Sequence, residues 1–415
     1  MYKKLCAAFI AALTVLAVAV CGSAVASTKK SAKKSPILIG VVTPGAGSPV
    51  VNSQASVSAV AAFIRDANAS GGFKGHPLKL DYCNDKNDPN LTTTCSQKMV
   101  QDKVVMLAGG SDLNGPQLTT AMNKAGIPEV GQTVYDSTSL NSPNQFIMTS
   151  TLPGYLVVDG YLAFHHIKVA MLGADNSAAA QLYPLIQSQT KGLNNPWISQ
   201  TLVPATVPDI SPYVQSALKG GPGAIQSFLG QQQDEQVVQA LGSMGSNVKW
   251  VTAAGLQSAA AVKALGETKD IQNVISFGNV LPLQDTSNPL IATFISQLKA
   301  YHKATHDQYA TLVQQSSLGM QGWMALWMLQ KFVNSGALNA NHITAKTVMH
   351  AFQNAKNIKT EGVMPPWTPN APGPTGQTRI SMPYYQIWTF TDGGAKVKLL
   401  LKKPITAAQA LAEKF

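Results

Sequence analysis

The sequence predicts an α/β protein with two doubly wound parallel-sheet lobes that follow one another along the chain. From Pro36 onward, short apolar runs alternate with stretches whose apolar residues recur at helical spacing. This alternation is the pattern of a parallel sheet with helices on both faces. A second series of the same kind begins at Lys168, and the length of 415 residues suits two or three domains.

The first series opens with a strand, ILIGVVT, whose continuous apolar character indicates burial on both faces. The helix that follows is predicted to stop at Gly71 and Gly72, since glycine adopts the backbone angles that end helices. The predicted elements of this series are strand 37–43, helix 57–67, strand 76–82, helix 90–102, strand 103–109, helix 114–126 and strand 127–131.

The second series repeats the alternation and is followed by two long helices, Leu290–His306 and Leu312–Asn334. The second of these carries methionines and tryptophans on or near one face, a pattern typical of a buried core. The predicted elements of the second series are strand 168–174, helix 178–191, strand 197–203, helix 213–218, strand 223–230, helix 234–244, strand 248–254, helix 258–265 and strand 274–278. After the long helices come a Pro/Gly-rich loop and strands at 382–390 and 396–401.

Residues 1–26 have the pattern of a secretory signal peptide. Two lysines precede an apolar run over residues 5–20, and Ala24 and Ala26 then match a small-x-small cleavage site. The apolar run is short for a membrane-spanning helix, which needs about 20 residues. We therefore expect export to the periplasm or cell envelope, with cleavage after Ala26.

A lipid anchor at Cys21 is the alternative outcome of the same signal. A bacterial lipobox carries glycine, alanine or serine directly before its cysteine, whereas this sequence has Val20. Cleavage after Ala26 is the better match, and the mature protein is then free of its signal.

The positive charge of the chain is concentrated near its start. Two lysines in the signal and four in the basic linker 27–36 account for six of the formal charge of +11, which leaves +5 for the folded body. So small a charge spread over so long a chain argues against nucleic-acid binding. The linker reads as a solvated spacer.

Cys83 and Cys95 are the cysteines that remain once Cys6 and Cys21 leave with the signal. In an oxidising compartment, two thiols are expected to form a disulfide. A metal site is the alternative, but it needs more ligands than these two cysteines offer. We expect the pair to staple the polar corner between a strand and a helix.

Catalytic motifs are absent from the sequence. It contains neither a Gly-x-Ser-x-Gly elbow nor a phosphate-binding glycine loop. His302 and His306 are spaced as half a metal site, yet the sequence offers no clear third ligand, so a solvated helix face is the simpler interpretation. Asp234 and Glu235 stand at a helix start, a common place for acidic residues. We expect no enzyme activity, no metal and no cofactor.

The stretch ILIGVVTPGAGSP…AFIRDANASGGFKGHPLKLDYCNDKNDP resembles the start of the extracytoplasmic solute-binding proteins of branched-chain amino acid ABC transporters. The resemblance runs from Pro36 to about Leu401. It implies the type I periplasmic-binding fold, with two lobes joined by a three-segment hinge. The implied division is 37–150 plus 283–380 for lobe 1, 151–282 plus 381–401 for lobe 2, and 402–415 for a C-terminal tail.

The resemblance also implies a ligand site in the cleft between the lobes. Relatives bind a ligand carboxylate with the loops that follow two neighbouring strands of lobe 1. In this sequence those positions are Gly110, Ser111, Asp112, Thr133 and Tyr135. Asp112 departs from the usual serine, and a carboxylate there would repel the carboxylate of an amino acid. Alternatively, Asp112 is a helix cap that points away from the ligand.

Further positions implied by the resemblance are Asn52, Tyr155, Asp175 and Gln231, several of which replace family aromatic residues. The acid that holds the ammonium group in amino acid binders falls on Ala253 or Ala254 here. The resemblance is therefore to the family, but the site departs from that of an ordinary leucine binder.

The function implied is that of the substrate-binding component of an ABC importer. The protein would bind a small polar solute, an amino acid or a related compound, by hinge closure and deliver it to membrane permease subunits as a monomer. A ligand sensor of the same fold, coupled to a signalling receptor, is the alternative that the sequence leaves open.

Overall fold

The structure, a computed structural model, describes residues 34–46, 53–112, 114–150, 152–175, 177–204, 206–253, 269–311, 315–373, 378–394 and 396–415. The predicted signal peptide, most of the predicted linker, Asn52 and the predicted helix 258–265 lie outside these residues.

Strands in the described residues lie close to the predicted ones, with a few short additions. They are β1 (Ile37–Val42), β2 (Leu78–Cys83), β3 (Met106–Ala108), β4 (Ser111–Asp112), β5 (Glu129–Val130), β6 (Thr133–Val134), β7 (Gln145–Phe146), β8 (Val169–Ala174), β9 (Gln200–Val203), β10 (Ala224–Phe228), β11 (Lys249–Ala253), β12 (Val274–Gly278), β13 (Tyr384–Thr391), β14 (Lys396–Leu399) and β15 (Ile405–Thr406).

Helices in the described residues alternate with these strands in both halves of the chain. They are α1 (Gln54–Ala69), α2 (Pro89–Gln101), α3 (Gly115–Ala125), α4 (Ser137–Leu140), α5 (Leu152–Phe164), α6 (Ser177–Gly192), α7 (Ser211–Ala217), α8 (Gln231–Ser243), α9 (Pro289–Thr305), α10 (Ser317–Ser335), α11 (Ala345–Asn354) and α12 (Ala407–Leu411).

The first sheet is parallel throughout, with the strand order β2-β1-β3-β5-β7. Ile39 and Val41 of β1 belong to the core that also contains α1, α9, α10 and α11. Val42 belongs to a second core, which contains α2 and α3. Because side chains alternate along a strand, this arrangement places helices on both faces of the sheet, and the predicted burial of β1 on both faces is confirmed. We call this sheet with its helices the first lobe.

The predicted disulfide between Cys83 and Cys95 is confirmed. It joins the last residue of β2 to the middle of α2, with the two Cα atoms 5.6 Å apart. Asp88 caps α2 by accepting hydrogen bonds from the backbone N–H groups of Asn90 and Leu91. Asp85 is fully buried and accepts a hydrogen bond from Thr92 Oγ1 at 2.9 Å. The polar residues of this corner thus hold the turn between β2 and α2.

Helices α9 to α11 return to the first lobe after β12, the last parallel strand of the second sheet. The predicted apolar stripe of α10 is confirmed as core, since Met320, Trp323, Met324 and Met328 are fully buried. The predicted start of this helix at Leu312 is wrong. Ser316 caps its first turn by accepting from the Leu318 N–H, so the helix begins at Ser317.

The second sheet has the strand order β14-β13-β12-β11-β10-β8-β9. Strands β8 to β12 are parallel, whereas β13 and β14 are antiparallel additions at one edge. Val169 and Met171 of β8 belong to one core, and Ala170 and Leu172 belong to another on the opposite face. We call this sheet with its helices the second lobe, and the two parallel sheets confirm the predicted α/β fold class.

The segment 402–415, predicted as a C-terminal tail, contains secondary structure in the second lobe. Strand β15 pairs with β13 in antiparallel register. Thr406 then begins α12 with a capping box that it forms with Gln409. The Phe415 ring lies 5.3 Å from that of Phe164 in α5, centre to centre.

The chain passes between the two lobes three times, after β7, after β12 and before β13. One side chain touches all three passages. The Asn279 Nδ2 donates to the backbone oxygen of Met382, just before β13, at 3.5 Å and to that of Tyr384, the first residue of β13, at 2.6 Å. The Asn279 Oδ1 accepts from the backbone N–H of Ser150 at 3.3 Å. Asn279 itself belongs to the second passage and is 6% exposed. The predicted lobe boundaries stay a prediction.

Candidate functional site

The loops after β3 and β5 meet at one edge of the first sheet. Strand β4 pairs with β6 there in parallel register, with Ser111 opposite Thr133. The Thr133 N–H donates to the Gly110 backbone oxygen at 3.0 Å, and the Ser111 N–H donates to Thr43 Oγ1 at 3.0 Å. The carboxyl ends of parallel strands are where α/β proteins bind ligands, so this pairing places Gly110, Ser111 and Thr133 together at the expected edge.

Tyr135 lies beside this pair. Its hydroxyl is 3.5 Å from Ser111 Oγ. Burial raises the pKa of the Tyr135 phenol, and the nearby Ser111 hydroxyl only partly offsets the rise. The phenol is therefore protonated at neutral pH and is available as a hydrogen-bond donor.

A cleft opens between the two lobes next to Thr133. It encloses about 400 Å³ of empty space, counting its opening to solvent. The first lobe contributes hydroxyl, amide and leucine side chains, and the second lobe and the passage between them contribute mainly apolar ones. The lining residues are Thr133, Thr149, Ser150, Ala253, Phe277, Gly278, Asn279, Val280, Ser317, Leu318 and Gln321.

Glycines bring α10 directly against the ends of β3 and β5. A β-carbon on Gly109 would lie 2.4 Å from the Gly322 Cα, and a β-carbon on Gly131 would lie 2.9 Å from the Gln321 backbone oxygen. Both Gly109 and Gly131 also have positive φ. This close approach is what places Ser317, Leu318 and Gln321 on the wall of the cleft.

The second-lobe wall is built from packed aromatic rings. The Tyr155 ring lies 4.4 Å from that of Phe228 and 4.9 Å from that of Phe277, centre to centre. The Tyr155 hydroxyl donates to the backbone oxygen of Ser227 at 3.0 Å. Gly154 allows this packing, because a β-carbon there would lie 2.6 Å from the Phe277 ring. The Tyr155 hydroxyl is thus engaged within the wall, and Phe277 is the ring that lines the cleft.

Asp234 lies buried in the first turn of α8, behind this wall. Its two carboxylate oxygens accept hydrogen bonds from Ser227 Oγ and, at 2.7 Å, from Thr252 Oγ1. Burial raises the pKa of Asp234 from 3.8 to about 7, although both hydroxyl groups act in the opposite direction. The sequence suggested an ordinary acidic helix start, whereas the structure shows an enclosed carboxyl group.

Among the remaining predicted site residues, Asp175 is not one of the residues that line the cleft. Asp175 is exposed after β8, where its N–H donates to the Val203 backbone oxygen at 2.8 Å. The side chains of Asp112 and Gln231 lie outside the described part of the structure, as does all of Asn52. Their predicted contacts with a ligand stay predictions.

Sequence reasoning missed Thr149, Ser150, Ser317 and Gln321 as cleft residues. Gln321 carried a signal that could have been used, because it is the one polar residue in the apolar stretch from Leu318 to Leu329. In the described ranges, no group of three or more His, Cys, Asp or Glu residues is placed to hold a metal ion. Among the helices described, none is long and apolar enough to cross a membrane.

Comparison with known proteins identifies the family. The family model for periplasmic binding proteins matches residues 36–389. The chain belongs to the periplasmic binding protein family. Members of this family are solute-binding proteins that work outside the cytoplasm. No curated protein matches the chain in sequence.

Solved structures of substrate-binding proteins share the fold of this family member. A substrate-binding periplasmic protein from Ralstonia solanacearum has 16% identity and a TM-score of 0.72, over 88% of this chain and 99% of that one. A branched-chain amino acid transporter substrate-binding protein from Streptococcus pneumoniae, in complex with isoleucine, has 13% identity and a TM-score of 0.66, over 89% and 99%. A solute-binding protein of an ABC transporter from Rhodopseudomonas palustris, in complex with 3,4-dihydroxybenzoic acid, has 14% identity and a TM-score of 0.69, over 90% and 98%. These likenesses confirm the predicted type I periplasmic-binding fold.

Proposed function

We propose that the protein is the substrate-binding component of an ABC importer and that it binds one small polar solute in the cleft between its lobes. The cleft itself is the observation that carries the proposal, because both lobes and the passage through Asn279 line it. A site shared by two lobes can be closed around a solute by a hinge motion. The proposal includes no catalytic step.

The solute would dock first on the first lobe. Gly110, Ser111, Thr133 and Tyr135 lie together at the sheet edge and offer hydroxyl and backbone groups. Asp112 continues β4 beside Val134 and belongs to the proposed contact surface. The second lobe would then close over the solute with Phe277, and the closed form would be the one that engages the permease.

The class of solute is an amino acid or a related compound. Related folds are known with isoleucine and with 3,4-dihydroxybenzoic acid, so the panel that tests the proposal must include aliphatic and aromatic compounds. We further propose that the protein is exported, that cleavage follows Ala26 so that Cys21 is lost with the signal, and that the mature protein acts as a monomer.

A thermal-shift screen of the mature protein tests this function. The panel contains amino acids, hydroxy acids, amides, polyamines, aromatic acids and short peptides. A solute at 100 times its dissociation constant stabilises a protein by about 2.7 kcal/mol, which should raise its Tm by a few degrees. We expect one chemical class to do so. A folded protein that no member of the panel stabilises would contradict the proposal.

A further inference from the structure

Two buried polar atoms in the first-lobe wall of the cleft have no hydrogen-bond partner in the described structure. They are Oε1 of Gln321, a residue that is 2% exposed, and Oγ1 of Thr133, a residue that is 5% exposed. Buried polar groups are normally hydrogen-bonded, because leaving one without a partner costs stability. Both residues line the same cleft.

Gln321 differs from the other buried glutamines of the first lobe. Gln145 and Gln132 hydrogen-bond to each other at 3.1 Å, and Gln315 Nε2 donates to two backbone oxygens. Each of those carboxamides thereby makes at least one hydrogen bond within the protein, although Gln132 Nε2, Gln145 Oε1 and Gln315 Oε1 have no partner in the described structure. The Gln321 carboxamide makes no hydrogen bond within the described residues, although the contact between Gly109 and Gly322 holds its backbone tightly in place.

The described lining of the cleft also carries no charged side chain. None of its eleven described residues is acidic or basic, and the side chain of Asp112 lies outside the described part of the structure. Asp234, the acid buried behind the second-lobe wall, already accepts hydrogen bonds from Ser227 and Thr252. An ammonium group placed beside Gln321 would lose its water without meeting a counter-charge among the described lining residues, whereas a hydroxyl group or an amide N–H would lose far less.

We propose that Gln321 is a specificity-determining residue that accepts a hydrogen bond from an uncharged donor on the solute, a hydroxyl group or an amide N–H. Thr133 Oγ1 contacts the same polar part of the solute. The protein therefore favours a hydroxylated solute over an analogue that carries an ammonium group or a hydrogen atom at that position. This inference rests on the proposed function and names the solute class more narrowly.

Two matched compound series test the inference by titration calorimetry on the mature protein. The aliphatic series is 2-hydroxy-4-methylpentanoate, leucine and 4-methylpentanoate. The aromatic series is 4-(hydroxymethyl)benzoate, 4-(aminomethyl)benzoate and 4-methylbenzoate. Within each series the skeleton and the carboxylate are constant, and the compared group is a hydroxyl, an ammonium or neither.

In at least one series, we expect the hydroxyl compound to bind about tenfold tighter than both of its analogues, as one neutral hydrogen bond allows. Gln321→Leu should remove this preference, because the hydroxyl compound then loses an acceptor that the compound without a donor never used. Gln321→Glu should instead favour the ammonium compound.

The Tm of Gln321→Leu shows whether the variant is folded. The substitution removes a buried amide oxygen without a partner and keeps a similar side-chain volume, so the Tm of the variant should equal or exceed that of the wild type. If Gln321 had a purely structural role, its substitution would not both raise the Tm and remove the preference for the hydroxyl compound.

Two results would overturn the inference while the proposed function stands. In the first, the wild type binds the ammonium compound most tightly. In the second, Gln321→Leu keeps the wild-type preference for the hydroxyl compound. Failure of all six compounds to bind the folded protein is a separate result, which would count against the proposed function and remove the basis of the inference with it.

Discussion

Asp234 and Gln321 are both buried polar residues near the cleft, yet their surroundings differ. Both carboxylate oxygens of Asp234 accept hydrogen bonds from hydroxyl groups of its own lobe. The Oε1 of Gln321 accepts no hydrogen bond from the described residues. The enclosed Asp234 supports the second-lobe wall from behind, and its main measurable effect is on the pH dependence of stability.

Asp234 should make the protein less stable as the pH rises from about 4 to 7. Burial raises the pKa of Asp234 to about 7 in the folded state, so between the unfolded and folded pKa values the folded protein binds more protons. The free energy of unfolding therefore falls through this window, by on the order of 4 kcal/mol from this group. Asp234→Asn should lack this part of the decline.

Urea unfolding at several pH values measures the effect. As the pH rises, the free energy of unfolding of Asp234→Asn should increase relative to that of the wild type. Glu235→Gln controls for the loss of one negative charge at the same helix start. Parallel stability curves for the wild type and Asp234→Asn would show that the pKa of Asp234 is not raised in the folded protein.

Residue roles could be predicted from the sequence only where the partner is close along the chain. The disulfide of Cys83 with Cys95 joins residues only twelve positions apart along the chain, and it is confirmed. Asp234 was misjudged because Thr252, one of the partners that enclose it, comes from another strand. Gln321 was missed because its position on the cleft depends on how α10 packs.

At the scale of elements, the close contact between α10 and the end of β3 decides the shape of the cleft. Gly109 and Gly322 leave no room for a β-carbon between them. The helix can therefore place its first turns at the sheet edge beside Thr133. A larger residue at this contact must push the helix away.

Gly109→Ala should lower the free energy of unfolding by about 2 to 4 kcal/mol, since it adds a steric clash to an unfavourable backbone conformation. Gly336→Ala is the matched control. Gly336 has a similar positive φ of 80°, but a β-carbon there would have no neighbour within 4 Å. Its substitution should cost about 1 kcal/mol, as measured by denaturant unfolding. Equal losses in the two variants would argue against the close contact.

The sequence predicted the regular elements well and the short ones poorly. The long parallel strands and the helices around them follow from apolar periodicity, and most ends agree to within a few residues. Strands β4 and β6 contain two residues each, too few for any period to appear, yet they form the sheet edge with Ser111 and Thr133. Helix α11 was missed as well.

At the scale of the whole molecule, Asn279 connects the three passages between the lobes through hydrogen bonds to Ser150 and Tyr384. These bonds lie at the base of the cleft. A hinge motion that opens and closes the mouth of the cleft would leave them in place. The two parallel sheets were predicted from the repeated alternation of strands and helices. The return of α9 to α11 to the first lobe was implied by the family resemblance, because periodicity alone does not say which lobe a helix joins.

Calorimetry of a variant with a filled cleft tests the central claim most directly. Ser317 lines the cleft and is partly exposed at the start of α10, so Ser317→Trp should occupy the solute volume without disturbing the core. With the solute that gives the largest thermal shift, the wild type should bind at one site, and the variant should bind at least a hundredfold more weakly with a similar Tm. Binding of that solute by a folded Ser317→Trp variant with wild-type affinity would contradict the account, because the solute would then bind elsewhere.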